Sequence, residues 1–374
     1  MTHGSTDRLR ILHLTHGSDA GGLSRYIFDL CSAMHADGHQ VTVAGERGAW
    51  HSLFENAPWP WIEVPMKGGP LALLSAARKL RAFLKDSPVD VIHAHYRRAT
   101  LVGRRLQRHR RPPLLYTLHL SHVSVGWPRR WLTDFGDHVH VASGDARTWL
   151  TEVAGFDSRR ITLIPHGLPP ERFPTTDSAG RAAARQALGL PQDAIVAAYV
   201  GRLDHPKNED WLLDLAERLR RNTPPVKIVL AGDGPNRAEL EQRIRQQGLA
   251  EMVSLLGQRD PLPVYHAADA LLLPSLREGF SLVCAEAMSA GIPVLRTRTS
   301  GTSELIIENV TGRSTPIDKA SFLNAAVDFL SDPAALRRMG EAAANHIRRN
   351  FTFQQQYDRT IELYRRLANG QASA

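Results

Sequence analysis

Cysteine is nearly absent from these 374 residues: Cys31 and Cys284 stand far apart, each in an apolar, helix-like setting. Two such thiols exclude a disulfide framework and point to free buried groups, and no cluster of residues has the spacing of metal ligands. Long apolar runs are missing too. The Leu-rich stretch from Pro70 to Leu84 is broken by Arg78, Lys79 and Arg81, and no segment approaches the ~20 residues that a membrane-spanning helix needs. Met1 to Arg10 carries no apolar core behind its charges and does not read as a secretory signal, so a cytoplasmic location is expected. The chain also lacks Gly-x-Gly-x-x-Gly, which lowers a dinucleotide-binding reading. It lacks Asp-x-Asp as well, so a carboxylate pair spaced to clamp a divalent cation has no ligands.

What is present describes a soluble α/β protein. Hydrophobic content of 43% and charged content of 22% are ordinary for globular chains, and the length exceeds what one core usually holds, so two domains are expected. The net charge of +8 is uneven. Met1 to Leu168 holds 21 Lys and Arg against 14 Asp and Glu, a balance of +7, which leaves +1 for the remainder. Seven arginines lie between Arg97 and Arg111, followed by Trp127, Arg129, Arg130 and Trp131. Such a surface attracts polyanions, whether membrane headgroups, phosphorylated glycolipids or nucleic acid, although a solvated helix face is the commoner origin of a charge run.

Strand-like apolar runs alternate with helical patterns along the whole chain. Arg10 to Leu14 reads as a strand, Thr15 to Gly22 as a glycine-rich loop, and the residues carrying Tyr26, Ile27, Leu30 and Met34 as a helix. Gly22 would let backbone approach a phosphate or an acceptor at that helix start. Asp90 to His95 and Leu114 to His119 read as strands ending in histidine, which puts His95 and His119 where ligands collect in an open parallel sheet. Val139 to Ser143 and Arg160 to Ile164 follow, with Ser143 a helix cap and the prolines and glycine from Pro165 to Pro170 a domain exit. Beyond a polar linker from Thr175 to Gly189 that carries a helical Ala/Arg segment, further strands are expected at Ile195 to Val200, Lys227 to Leu230, Val253 to Leu256, Ala270 to Leu273 and from Val294.

The most informative stretch is Arg277 to Pro293. A strand ends at Pro274 and Ser275, a loop carries Glu278 and Gly279, and Leu282 to Ala290 has helical spacing that Gly291 and Pro293 stop. Glu278 therefore sits on the loop and Glu286 about two turns into the helix. That pair can bracket a nucleotide sugar, with amides at the helix start facing a diphosphate and the carboxylates accepting hydroxyls. Taken alone, two glutamates eight apart are also an ordinary solvated pair.

The pattern Pro-Ser-x-x-Glu-Gly-Phe-x-Leu-x-x-x-Glu-Ala-Met-x-x-Gly-x-Pro-Val, complete from Pro274 to Val294, resembles the signature of retaining glycosyltransferases of family 4, here of a bacterial lipopolysaccharide or cell-envelope type. The likeness runs from about Ile11 to about Asp358. Gly201, Arg202 and Lys207 resemble that family's Gly-Arg-x-x-x-x-Lys-Gly with Asn208 for the last glycine; Gly232-Asp-Gly-Pro235 and Ser300-Gly301-x-x-Glu304 match further motifs. Thr117-Leu-His119 resembles the family's Thr-Phe-His, while His166 departs from its Pro-Asn-Gly-Val.

The resemblance implies a GT-B fold: two Rossmann-like domains facing across a cleft. Residues 1–170 would bind the acceptor, completed by a C-terminal helix returning over 355–374, and 171–354 would bind the donor. It implies transfer of a sugar, with retention, from a nucleoside diphosphate donor, probably UDP-linked, to a glycan or glycolipid hydroxyl. His119 and Glu278 would face the transferred sugar, and Arg202 and Lys207 would hold the diphosphate. Gly22, Gly257, Gln258, Gly279, Phe280, Ser281, Leu282 and Glu286 would complete donor binding. No metal or other cofactor is expected. A nucleotide-sugar epimerase of the same architecture needs an acid and base pair for which only His119 is a candidate, and no nucleic-acid-binding module accompanies the arginines. Peripheral contact with an anionic membrane, at the inner face of the cytoplasmic membrane, fits the basic first half.

Overall fold

The computed structural model describes residues 8–19, 21–107, 111–120, 133–221 and 224–370. The chain forms two compact units, Met1–Pro165 with Gln356–Ala374, and His166–Gln355.

The first unit is built on a parallel sheet of seven strands: β1 Arg10–Gly17, β2 Gln40–Glu46, β3 Trp61–Glu63, β4 Val91–Ala94, β5 Leu114–Leu118, β6 His138–Val141 and β7 Ile161–Leu163. Their order is β3-β2-β1-β4-β5-β6-β7. Both faces of a parallel sheet are covered by helices, so its strands read as nearly unbroken apolar runs; Ile11, Leu12 and Leu14 are fully buried. The two strands expected to end in histidine stop one residue short. His95 and His119 lie just past β4 and β5, because neither histidine continues the parallel pairing. The strand order reverses between β1 and β4, which opens the first crevice at their carboxyl ends.

The arginine-rich segment forms the helix Arg97–Leu106, which buries Ala99, Val102, Gly103 and Leu106. Arg104 bridges Asp134 and Asp137 at 2.7 and 2.6 Å, and Arg98 donates to the Lys67 carbonyl at 2.6 Å. Part of the basic run is thus spent inside the unit. Arg108, Arg110, Trp127, Arg129, Arg130 and Trp131 lie outside the described residues.

The second unit holds a six-stranded parallel sheet: β8 Ile195–Val200, β9 Val226–Ala231, β10 Val253–Gly257, β11 Ala270–Leu273, β12 Val294–Thr297 and β13 Gly312–Thr315, in the order β10-β9-β8-β11-β12-β13. The reversal falls between β8 and β11. The helical segment expected in the linker is the helix Ser178–Ala187, and it is tied to the second unit: Arg185, buried, donates to Asp269 at 2.6 Å and to the Ala267 carbonyl at 3.0 Å, just ahead of β11. The last helix, Phe353–Ala368, belongs to the first unit from Gln356 on, where Tyr357 donates to Asp37 at 2.6 Å and Tyr364 meets His93 at 2.5 Å. Among the described residues no helix is long and apolar enough to cross a membrane.

Candidate functional site

Two loops flank the reversal of the second sheet, one after β8 and one after β11, and they are stitched together. The Leu276 amide donates to the Pro206 carbonyl at 2.8 Å, and Asn208 Nδ2 donates to the Pro274 carbonyl at 2.9 Å. Asn208 stands where the resembling motif has glycine; it adopts φ 50°, the left-handed region that Asn tolerates, so the turn is kept. The stitching brings together two residues 71 apart in sequence: Lys207 Nζ donates to Glu278 Oε1 at 2.7 Å, and Ser275 Oγ donates to the same oxygen at 2.6 Å. With side chains 26% and 10% exposed, the pair is partly shielded from water.

The helix Leu282–Ser289 starts directly beside this pair. Its N-cap Ser281 has φ 55° and ψ 84° and makes no side-chain cap bond; its hydroxyl donates instead to Cys284 Sγ at 3.3 Å. A non-glycine residue held in the left-handed region carries strain of order 1–3 kcal/mol, which folds tend to keep at functional positions. The first amides of the helix therefore have no cap, and such amides together with the positive end of the helix dipole suit an anion. Glu286, further along the helix, accepts from the buried Tyr265 hydroxyl at 2.9 Å. Burial, and then Glu286 itself, pushes the Tyr265 phenol well above its ordinary range, so it remains a donor.

The other expected donor residues are more dispersed. Arg202 is largely exposed and donates to Asp204 at 3.1 Å, outside the Lys207 and Glu278 pair. Gly257, at φ 71°, ends the edge strand β10 and Gln258 follows it, away from the reversal itself. Phe280 is buried and packs edge-on against His166 at 5.6 Å, so the histidine standing in for the motif's Asn borders the same loop.

In the first unit, Gly22 opens the helix Gly22–Ala36 behind Gly21, whose φ of 149° requires glycine. His119 Nε2 lies 3.3 Å from His95 Nδ1, and His95 Nε2 lies 3.0 Å from His13 Nδ1, making a row of imidazoles. Burial drives His13 down to about 3 and His95 well below 6.5, so these rings are neutral. His13, His93 and His95 each bring a nitrogen within 4.8 Å of the others, the spacing a metal ion would need. Metal-compatible spacing invisible in the sequence is thus assembled by pairing β1 with β4, where His13 faces His93. Both nitrogens of His93 are already engaged, with Tyr364 at 2.5 Å and Thr117 at 2.6 Å, so ligation would break hydrogen bonds in a fully buried site. The sequence placed His95 and His119 at strand ends but not His13 and His93 beside them, because only the register of β1 against β4 brings the row together.

Residues 180–346 match the family described as Glycosyl transferases group 1, and residues 20–172 match Glycosyltransferase Family 4. The chain is 27% identical to a glycogen synthase of Mycobacterium tuberculosis, covering 92% of this chain and 91% of that protein. It is 29% identical to a D-inositol 3-phosphate glycosyltransferase of Streptomyces avermitilis, covering 90% of this chain and 81% of that one. The fold is also that of Anabaena HepE, crystallised in complex with UDP, with a TM-score of 0.82, 23% identity and coverage of 95% and 99%. Two Rossmann-like units of this kind are the GT-B architecture.

Proposed function

We propose that this chain, with its GT-B fold, is a glycosyltransferase that moves a sugar from a UDP-sugar to a hydroxyl of a glycan or glycolipid, with the anomeric configuration retained and no metal required. The observation that carries the donor half is the Lys207 and Glu278 ion pair beside the uncapped start of Leu282–Ser289, at the carboxyl ends of β8 and β11.

On this reading the donor diphosphate lies against the amides of Gly279 to Leu282. Lys207 swings from Glu278 to the phosphates and, with Arg202, stabilises the charge that develops as the nucleotide leaves. Glu278, released from Lys207, accepts hydroxyls of the sugar and fixes its orientation, while Glu286 accepts from the ribose and Tyr265 holds that carboxylate in place. The attacking hydroxyl approaches the face from which the phosphate departs. His119 serves the acceptor side, where its imidazole stands ready for the proton that the hydroxyl loses. Uridine is favoured because UDP is what the structurally similar HepE binds. The basic balance of the first half favours an anionic acceptor, such as lipopolysaccharide core or another envelope glycan presented on the cytoplasmic face of a membrane.

The test is incubation of the whole chain with a panel of nucleotide sugars, reading free nucleotide and the anomeric form of the product by NMR. The expected result is UDP release from a UDP-sugar with retention. Interconversion of the sugar without nucleotide release would make the protein an epimerase instead.

A further inference from the structure

Arg296 lies on β12, is fully buried, and has no carboxylate in ion-pair contact among the described residues. Its Nη2 donates to Thr299 Oγ1 at 2.6 Å and to the Ser300 carbonyl at 3.2 Å, while Nε and Nη1 have no hydrogen-bond partner. A guanidinium cannot shed its proton to escape this situation, as a buried Lys or Glu can. An isolated buried charge is costly, and an apolar side chain of the same size would be cheaper. Such a residue is explained when an anion arrives that the free protein lacks.

The surroundings say where. The loop that Arg296 holds, Thr299 to Gly301, is pressed against the loop leading into Leu282–Ser289: a Cβ on Gly301, whose φ is 76°, would come within 2.6 Å of Phe280 Cα and 2.8 Å of the Gly279 carbonyl oxygen. Cys284, in the first turn of that helix, feels the positive charges of Arg296 and Lys207 and the negative charge of Glu278. The guanidinium is therefore close to the helix start and holds a loop packed against the residues assigned to the diphosphate.

We propose that Arg296 is a positioning residue for the donor: a buried, permanently positive group that draws the diphosphate onto the Gly279 to Leu282 amides and fixes the loop packed against them. The inference rests on the donor reading given above. Through a medium of effective dielectric about 20, one buried charge close to the site changes anion affinity by about tenfold.

Calorimetry with UDP and with uridine, on wild type, Arg296→Met and Arg296→Lys, tests this together with melting temperatures taken without nucleotide. Arg296→Met is expected to weaken UDP about tenfold, to leave uridine within about twofold, and to melt no lower than wild type, since it removes an uncompensated charge. Arg296→Lys should keep most of the preference for UDP over uridine. Equal UDP affinity in wild type and Arg296→Met overturns the inference, as does parallel weakening of UDP and uridine or a large fall in melting temperature, each of which would make the side chain purely structural. Wild type that fails to bind UDP defeats the donor reading itself, a separate outcome.

Discussion

Removing Glu278 and removing Glu286 should move UDP affinity in opposite directions. In the free protein Lys207 is engaged by Glu278 at 2.7 Å, so turning it toward a phosphate first breaks that pair. An exposed ion pair is worth ~0.2–1 kcal/mol, a charge-assisted hydrogen bond ~1.5–3 kcal/mol. Side chains 26% and 10% exposed lie between those limits. Glu278→Ala frees Lys207 in advance, and UDP should bind about equally well or up to roughly 1 kcal/mol tighter, about fivefold. Glu286→Ala instead removes the acceptor assigned to the ribose and should weaken UDP by about 1–3 kcal/mol. That variant also strips the buried Tyr265 hydroxyl of its acceptor, so its melting temperature should fall, and Glu286→Gln, which still accepts from Tyr265, separates loss of ribose contact from loss of packing. Transfer should collapse in Glu278→Ala even though the nucleotide binds. Titration calorimetry with UDP alone reads all of this. Equal losses in the two alanine variants, or a larger loss in Glu278→Ala, would refute the division of labour.

Three further outcomes follow from the same geometry. Burial holds His13 at about 3 and His138 and His140 at about 4, against an ordinary 6.5. Unfolding therefore takes up protons below pH 6.5, so their stabilising share is intact above that value and lost as pH falls toward 4; melting temperatures measured from pH 7.5 to pH 5 should decline below about 6.5, and a flat profile would contradict neutral burial. Transfer should survive exhaustive EDTA treatment, and activity restored only by added magnesium or manganese would show that Lys207 and Arg202 do not hold the diphosphate unaided. The chain should sediment with vesicles of anionic phospholipid at low salt, detach as salt rises, and bind less when Arg108, Arg110 and Arg111 become Glu; indifference to such vesicles at low salt would remove the membrane from the acceptor reading.

The sequence was most readable where burial and local geometry agree. Ile195–Val200 and Ala270–Leu273 are apolar runs closed by turn residues, and they are strands within the bounds that pattern suggests. Ser143 was visible as a cap because Ser before a helix has one common use, and its side chain accepts from the Ala146 amide. Two short strands escaped for opposite reasons: Trp61–Glu63 has three residues just after a proline, and Gly312–Thr315 is a polar edge strand that only its neighbour β12 defines. The glutamate pair was legible from its motif. The partner of Glu278 was not, since Lys207 reaches it only when the loops after β8 and β11 are stitched across the sheet reversal. Arg296 was hidden in the same way: an arginine in a strand reads as an exposed edge charge until the fold encloses it.

Hydrogen exchange of the whole chain with and without UDP tests most directly the claim that the second unit holds the donor at the uncapped helix start. Protection is expected in the amides from Gly279 to Cys284 and from Gly201 to Lys207, with no comparable change in the loop from Gly17 to Gly22. UDP-dependent protection confined to the first unit, or none at saturating nucleotide, would contradict it.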